Sequence, residues 1–146
     1  MSRIPRPHRL RIAACAAVAA MLLAASPLSA IAQGTPAAPA AQSSTERGVT
    51  VKVTPKAIGA ADSRWEFSVV FDTHSADLND DLMQSATLTT DDGRTLKPAG
   101  WDGAGPGGHH REGVLAFAVP VPRPATIELR IVRPGEPAAR TFRWQL

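Results

Sequence analysis

A strict alternation of apolar and polar residues constrains this chain more than any other feature. It is clearest in residues 64–71, where Trp65, Phe67, Val69 and Phe71 occupy every second position. A period of two places the apolar side chains on one face of a β-strand. Similar patterns, or short apolar runs bounded by turn residues, predict six more strands, in residues 49–54, 86–90, 95–97, 114–119, 126–131 and 141–146.

Turn residues separate these seven segments at short intervals. Asp91-Asp-Gly93 is typical of a hairpin turn, and the three prolines in residues 120–124 form a stiff corner. Residues 76–84 are expected to form an acidic loop rather than a helical turn. Seven short strands separated in this way predict an all-β fold, an immunoglobulin-like antiparallel two-sheet sandwich of about seven strands. We expect its core to be dominated by Trp65, Phe67, Phe142 and Trp144.

The first 32 residues have the composition of an export signal. Residues 1–11 contain four arginines and no acid, residues 12–25 are continuously apolar, and Ala30-Ile-Ala32 offers small residues at a cleavage site. This order predicts a secretory signal peptide over residues 1–32, and hence a periplasmic or secreted protein. The apolar run is shorter than the ~20 residues that a membrane-spanning helix needs, which favours cleavage over retention as an anchor.

The rest of the chain divides into a linker and one domain. Residues 33–47 are rich in alanine, proline and small polar residues and contain no large apolar side chain, which predicts a flexible linker. Residues 48–146 contain all seven strands and are expected to form the β-sandwich domain. The only cysteine of the chain, Cys15, lies in the predicted signal peptide, so no disulfide is expected in the domain.

The basic balance of the whole chain comes from the predicted signal peptide. The full sequence has 16 lysines and arginines against 13 aspartates and glutamates, and four of the arginines lie in residues 1–32. Their removal leaves a net charge of about −1. We therefore expect no nucleic-acid partner, and no membrane span after the signal is removed.

Three histidines in two polar loops form the candidate site. His74 follows the second predicted strand, with Asp72 two positions before it, while His109 and His110 end the glycine-rich residues 99–110. Loops at one end of a sandwich can converge although they are far apart in the sequence. Because imidazole and carboxylate groups bind zinc and copper, these four residues are the predicted metal ligands.

The arrangement of the histidine pair leaves two interpretations open. Adjacent residues of a strand point to opposite faces, so His109 and His110 can share a metal only if the chain bends, which Gly107 and Gly108 allow. The alternative is that one histidine hydrogen-bonds within the loop and the other faces solvent. The same stretch lacks the lysine and the following helix of a phosphate-binding loop, and Trp101 within it is expected to fold back onto the core.

The two loops also carry a resemblance. Phe71-Asp-Thr-His-Ser-Ala-Asp-Leu78, together with Trp101 and Gly107-Gly-His-His-Arg-Glu-Gly-Val-Leu-Ala-Phe117, resembles a group of exported prokaryotic proteins of uncharacterised function. The resemblance covers residues 48–146 and implies an exported domain without implying an activity.

A second resemblance concerns copper. His109, Gly113, Phe117 and Val119 form a pattern similar to the closing strand of the periplasmic copper-resistance carrier family. This resemblance implies an immunoglobulin-like sandwich that binds copper. The Asp-Gly-His ligand motif of that family is replaced here by Gly107-Gly-His109.

The sequence thus predicts a binding protein rather than an enzyme. No serine lies in the strand–turn–helix context of a catalytic nucleophile, so we expect no enzymatic activity. We expect an exported binding module, with copper or zinc held by His74, His109, His110 and Asp72 as the sharpest form of that prediction. The alternative is a structural or protein–protein interaction module with no metal. Both interpretations agree with the sequence.

Overall fold

The computed structural model describes residues 39–146, which form nine β-strands and one short helix. The predicted signal peptide and the first part of the predicted linker lie outside the described residues. The elements in chain order are β1 (Gln42–Glu46), β2 (Val49–Ala57), β3 (Arg64–Thr73), α1 (Leu82–Ser85), β4 (Ala86–Thr90), β5 (Thr95–Leu96), β6 (Gly100–Gly103), β7 (His110–Ala118), β8 (Thr126–Ile131) and β9 (Arg140–Gln145).

The strands form two antiparallel sheets that pack face to face. The first sheet has the order β1-β2-β3-β7-β6, and the second has the order β5-β4-β8-β9. The layers β2-β3-β7-β6 and β4-β8-β9 have the strand order of the two immunoglobulin sheets, with β1 and β5 added at the edges. The predicted all-β sandwich is confirmed, with nine strands instead of about seven.

The core consists of the apolar faces that the alternation predicts. Trp65 and Phe67 of β3 and Phe142 and Trp144 of β9 are all buried. The rings of Phe67 and Trp144 join the two sheets, with a distance of 5.5 Å between their centroids. Trp101 is partly buried and packs against this core, as predicted. Most of the domain therefore follows from strand periodicity and the burial of aromatic rings.

The predicted linker extends too far into the domain. Residues 42–46 belong to β1, which pairs with β2 from Gln42 opposite Val53 to Glu46 opposite Val49. None of the five residues carries a large apolar side chain, so the strand has no hydrophobic pattern. It is held instead by backbone pairing and by side chains of β9, which are far away in the sequence.

Several other boundaries differ from the sequence prediction for the same reason. β7 begins at His110 instead of residue 114, because its polar first residues pair with β3 as far as Asp72. β6 lacks alternation and pairs with β7 through Gly100–Gly103. A one-turn helix, α1, forms within the predicted loop, and the Asp81 carboxylate accepts a hydrogen bond from the Met83 N–H at its N-terminus. With four residues, it is far too short to span a bilayer, and no other helix occurs in residues 39–146.

Candidate functional site

Two polar loops meet at one end of the sandwich. Residues 74–81 follow β3 and residues 104–109 precede β7, and we call this pair of loops, with the adjoining Asp72 and His110, the loop end. Backbone hydrogen bonds join the loops: Leu78 N–H donates to Gly108 O (3.1 Å), and Gly107 N–H donates to Leu78 O (2.9 Å). The fully buried Leu78 side chain anchors this pairing in the core.

Two consecutive glycines adopt the backbone angles that this contact between the loops requires. Gly107 and Gly108 have φ values of +113° and +73°, a region that L-residues other than glycine rarely adopt. The chain bends there before β7 begins, and His109 O accepts a hydrogen bond from Thr73 N–H at 2.9 Å. The bend that the sequence allows at these two glycines is present.

His110 lies between two carboxylates on the outer face of the first sheet. Its Nδ1 is 2.6 Å from Asp72 Oδ1, across the β3–β7 pair, and its Nε2 is 3.7 Å from Glu112 Oε2, two residues further along β7. All three side chains are exposed. The hydrogen bond to Asp72 raises the pKa of His110 above its usual value, against a smaller opposing effect of burial.

The other two predicted ligands are not part of this cluster. His74 and His109 lie in the same pair of loops, and both residues are exposed. Among residues 39–146, no three or more histidine, cysteine, aspartate and glutamate side chains are grouped so that they could hold a metal ion. The structure therefore joins Asp72 with His110, and metal binding by the four predicted residues stays a prediction.

Sequence reasoning missed Glu112 as a neighbour of His110. The signal was present, because residues two apart on a strand share a face. The predicted strand begins only at residue 114, so His110 and Glu112 fall outside the segment to which that rule is applied.

A buried ion pair lies beneath the loop end. Asp80 is fully buried, and both of its carboxylate oxygens accept hydrogen bonds from Arg133, at 2.8 and 3.0 Å. The Arg111 guanidinium donates to the Asp80 carbonyl oxygen. Burial opposes the charge of Arg133, but hydrogen bonding with Asp80 and then Glu136 outweighs it and raises the pKa of Arg133.

Two more charged side chains, Glu136 and Arg140, connect Arg133 to β1. Glu136 accepts from Arg133 at 2.9 Å and from Arg140 at 2.6 and 2.7 Å. Hydrogen bonding with Arg140 lowers the pKa of Glu136, although burial opposes this. Arg140 is itself buried and donates to the carbonyl oxygens of Ser44 and Glu46 in β1. We call the side chains of Asp80, Arg133, Glu136 and Arg140 the buried charge network.

Trp101 and Arg111 hold the second loop of the loop end, residues 104–109. Trp101 Nε1 and Arg111 Nε both donate to Ala104 O, at 3.1 and 2.8 Å, and the guanidinium lies 5.3 Å from the centre of the indole. The indole also covers Gly103 and Gly113, which are paired in β6 and β7. Both loops of the loop end are therefore held by buried or half-buried polar groups.

Comparison of the chain with models of protein families, with curated proteins and with solved structures gives no significant match. The two resemblances described above stay predictions.

Proposed function

We propose that this chain is an exported, non-enzymatic binding module whose binding surface is the loop end. The observation that carries the proposal is that buried polar groups hold two polar, exposed loops in one arrangement. The ion pair with Arg133 fixes Asp80 in the first loop, and Arg111 donates both to Asp80 O and to Ala104 O of the second loop. Buried ion pairs often contribute little more to stability than apolar residues of similar volume would. Their value here lies in fixing where the loops stand, since a preorganised loop loses less conformational entropy when it binds.

The form of binding that we favour is recognition of a protein with a basic surface. The exposed acidic side chains of the loop end include Asp72, Asp77 and Asp81, with Glu112 beside them on β7. Arg111 and Arg133 face inward, and their charges are used by the loop contacts described above. Complementary charge speeds association and selects partners, and the effect weakens as salt rises.

Site-specific crosslinking in the producing cell tests this form. A photoreactive amino acid replaces His109 at the loop end or, as the matched control, Val121, which is 83% exposed in the loop between β7 and β8. We expect one crosslinked adduct of defined mass from position 109 and none from position 121. The yield at position 109 should fall when Asp72 and Asp77 are both changed to asparagine. Equal adducts at both positions, or none at either, would contradict the proposal.

A metal ion is the second candidate ligand, because of the geometry around His110. Histidine ligands commonly hydrogen-bond a carboxylate through the ring nitrogen that does not bind the metal, as His110 Nδ1 does with Asp72. Nε2 is then the ligating atom. Glu112 Oε2 lies 3.7 Å from this nitrogen, which is close enough for both atoms to bind one ion. Asp72 is an orienting partner in this scheme, and the remaining ligands of a copper or zinc ion are solvent or another protein.

Calorimetric titration with Zn²⁺ and Cu²⁺ tests this candidate on protein without a polyhistidine tag. We expect His110→Ala to abolish binding and Glu112→Gln to weaken it, while His74→Ala and His109→Ala serve as matched controls with smaller effects. Binding should weaken as the pH falls, because protons compete for Nε2. If wild-type protein and His110→Ala bind either ion equally, this candidate fails and the protein-partner form is unaffected.

A further inference from the structure

We propose that β1 exchanges between two copies of this chain, so that β1 of each copy completes the first sheet of the other. The product is a symmetric dimer with one identical contact made twice. The proposal does not depend on what the loop end binds. It rests on three features of β1: how it is buried, how it is connected to β2, and what holds it to β9.

β1 carries no apolar side chain into the core. Its five residues, Gln42–Glu46, are exposed or half-buried, whereas Val49, Val51 and Val53 of the neighbouring β2 are buried. Withdrawal of β1 therefore leaves the hydrophobic core in place. What it exposes is the backbone edge of β2, and an unpaired strand edge readily pairs with another strand.

The connection between β1 and β2 is strained. Arg47 and Gly48 form a two-residue turn, with φ values of +50° and +75°. Hairpin turns with two positive φ values favour Asn-Gly, since most side chains disfavour this region. Arg47 is the only residue other than glycine with positive φ among residues 39–146. An extended connection relieves this strain, and short strained connections favour strand exchange.

The contacts that hold β1 can form equally well with a second copy. Arg140 donates to two β1 carbonyl oxygens, those of Ser44 and Glu46. The Gln42 side-chain amide both donates to Arg143 O and accepts from Arg143 N–H, at 2.5 and 3.1 Å. All of these partners lie in β9, so they meet an exchanged β1 unchanged. The balance between monomer and dimer is then set by strain at residue 47 and by protein concentration.

A disulfide placed between β1 and β2 distinguishes the two forms. Thr45 and Thr50 face each other across these strands, with their hydroxyl oxygens 2.8 Å apart. In the full chain carrying Cys15→Ser, Thr45→Cys and Thr50→Cys, oxidation links a hairpin within one chain and an exchanged strand between two. We expect a covalent dimer on a non-reducing gel, in a fraction that rises with the protein concentration held before oxidation.

Variants of Arg47 test whether strain in the turn controls dimerisation. Asparagine suits the positive φ at position 47. Arg47→Asn should therefore weaken dimerisation and lower its association constant by about tenfold. Arg47→Pro excludes positive φ and should raise it. Arg130→Asn removes the same charge from β8 and serves as the matched control, with no change expected. A disulfide that stays within single chains at every concentration overturns the proposal, as does a dimer that Arg47→Asn leaves unchanged.

Discussion

His110 and Asp72 form the one histidine–carboxylate hydrogen bond among residues 39–146, and the charge of His110 depends on pH. The hydrogen bond raises the pKa of His110 in the folded protein. Protonation therefore favours the folded state. This contribution is fully present below the unfolded pKa of about 6.5, and it is lost as the pH rises through the raised folded value.

We predict that Asp72→Asn lowers the pKa of His110 towards its ordinary value. Nuclear magnetic resonance titration of the imidazole protons measures this pKa directly. Glu112→Gln is the matched control and should produce a smaller decrease, because Glu112 lies further from the ring than Asp72 does. An unchanged His110 pKa in Asp72→Asn would mean that the two side chains do not interact in solution.

The buried charge network makes a second prediction at the scale of single residues. Arg133→Met leaves Asp80 buried without its ionic partner, and breaking a buried pair in this way costs about 3–5 kcal/mol. We expect that loss in the free energy of unfolding measured by urea denaturation. The double variant Asp80→Leu with Arg133→Met should recover part of it, because no unpaired charge remains.

The recovery is the decisive part of this measurement. A double variant that loses as much as the two single changes added together would show that the pair is not coupled. Arg130→Met removes an exposed arginine from a neighbouring strand and should change the free energy of unfolding by less than about 0.5 kcal/mol.

At the scale of strands, β6 depends on two facing glycines. A Cβ atom at Gly113 would stand 2.6 Å from Gly103 Cα and 2.6 Å from the Trp101 ring, whereas one at Gly100 in β6 would meet nothing within 4 Å. We predict that Gly113→Ala destabilises the domain by about 1–3 kcal/mol, because the ring or the strand must move.

Gly100→Ala is the matched control and should change stability by less than about 0.5 kcal/mol. Tryptophan fluorescence during urea unfolding measures both variants, and the native emission should shift only in Gly113→Ala, as Trp101 becomes more exposed. Equal stability of the two variants would contradict the close contact between β6 and β7.

The strands that could be predicted from the sequence are those that bury an apolar face. Alternation in β3, β8 and β9 locates each of them to within one or two residues, since hydrophobic burial has a local signature. β1 and β6 have no such signature. Their positions depend on contacts with distant residues, such as Arg140 for β1 and Gly113 for β6, which a periodicity argument does not detect.

The loop end, too, could be predicted from the sequence only in part. The glycines at positions 107 and 108 allow a bend in the chain. The histidines lie in two polar loops, which a sandwich fold can bring to one end. The buried charge network was missed, because Asp80 and Arg133 are separated by 53 positions and neither lies in a pattern that indicates burial. The sequence predicts an acidic loop around Asp80, and the carboxylates of such a loop are normally solvated.

At the scale of the whole molecule, two tryptophans fill the core between the sheets. Trp65 is fully buried and Trp144 is 5% exposed. We predict that Trp65→Ala and Trp144→Ala each lower the free energy of unfolding by about 3–5 kcal/mol, the usual cost of emptying a core aromatic site. Because small domains have only about 5–15 kcal/mol in total, either change should leave little stability.

Urea denaturation measures these losses. Met83→Ala provides the control, because Met83 is 36% exposed on α1 and its truncation should have only a small effect. A loss below 1 kcal/mol for either tryptophan would contradict its place in the core.

The hydrogen bond between Trp144 Nε1 and Ala40 O, at 2.7 Å, has a consequence for how the domain can be displayed. It holds residue 40 beside β9, close to the last residues of the chain, so both covalent attachment points of the domain share one flank. Residue 40 lies seven positions before the turn at Arg47, or about 20 Å along an extended strand. That turn lies beside the loop end, because the Thr73 hydroxyl donates to Gly48 O at 3.0 Å. A surface, a bead or a fusion protein joined at either point therefore leaves the histidine-bearing loops facing outward. The two points could also be joined to each other and the chain reopened in the β4–β5 hairpin without disturbing those loops.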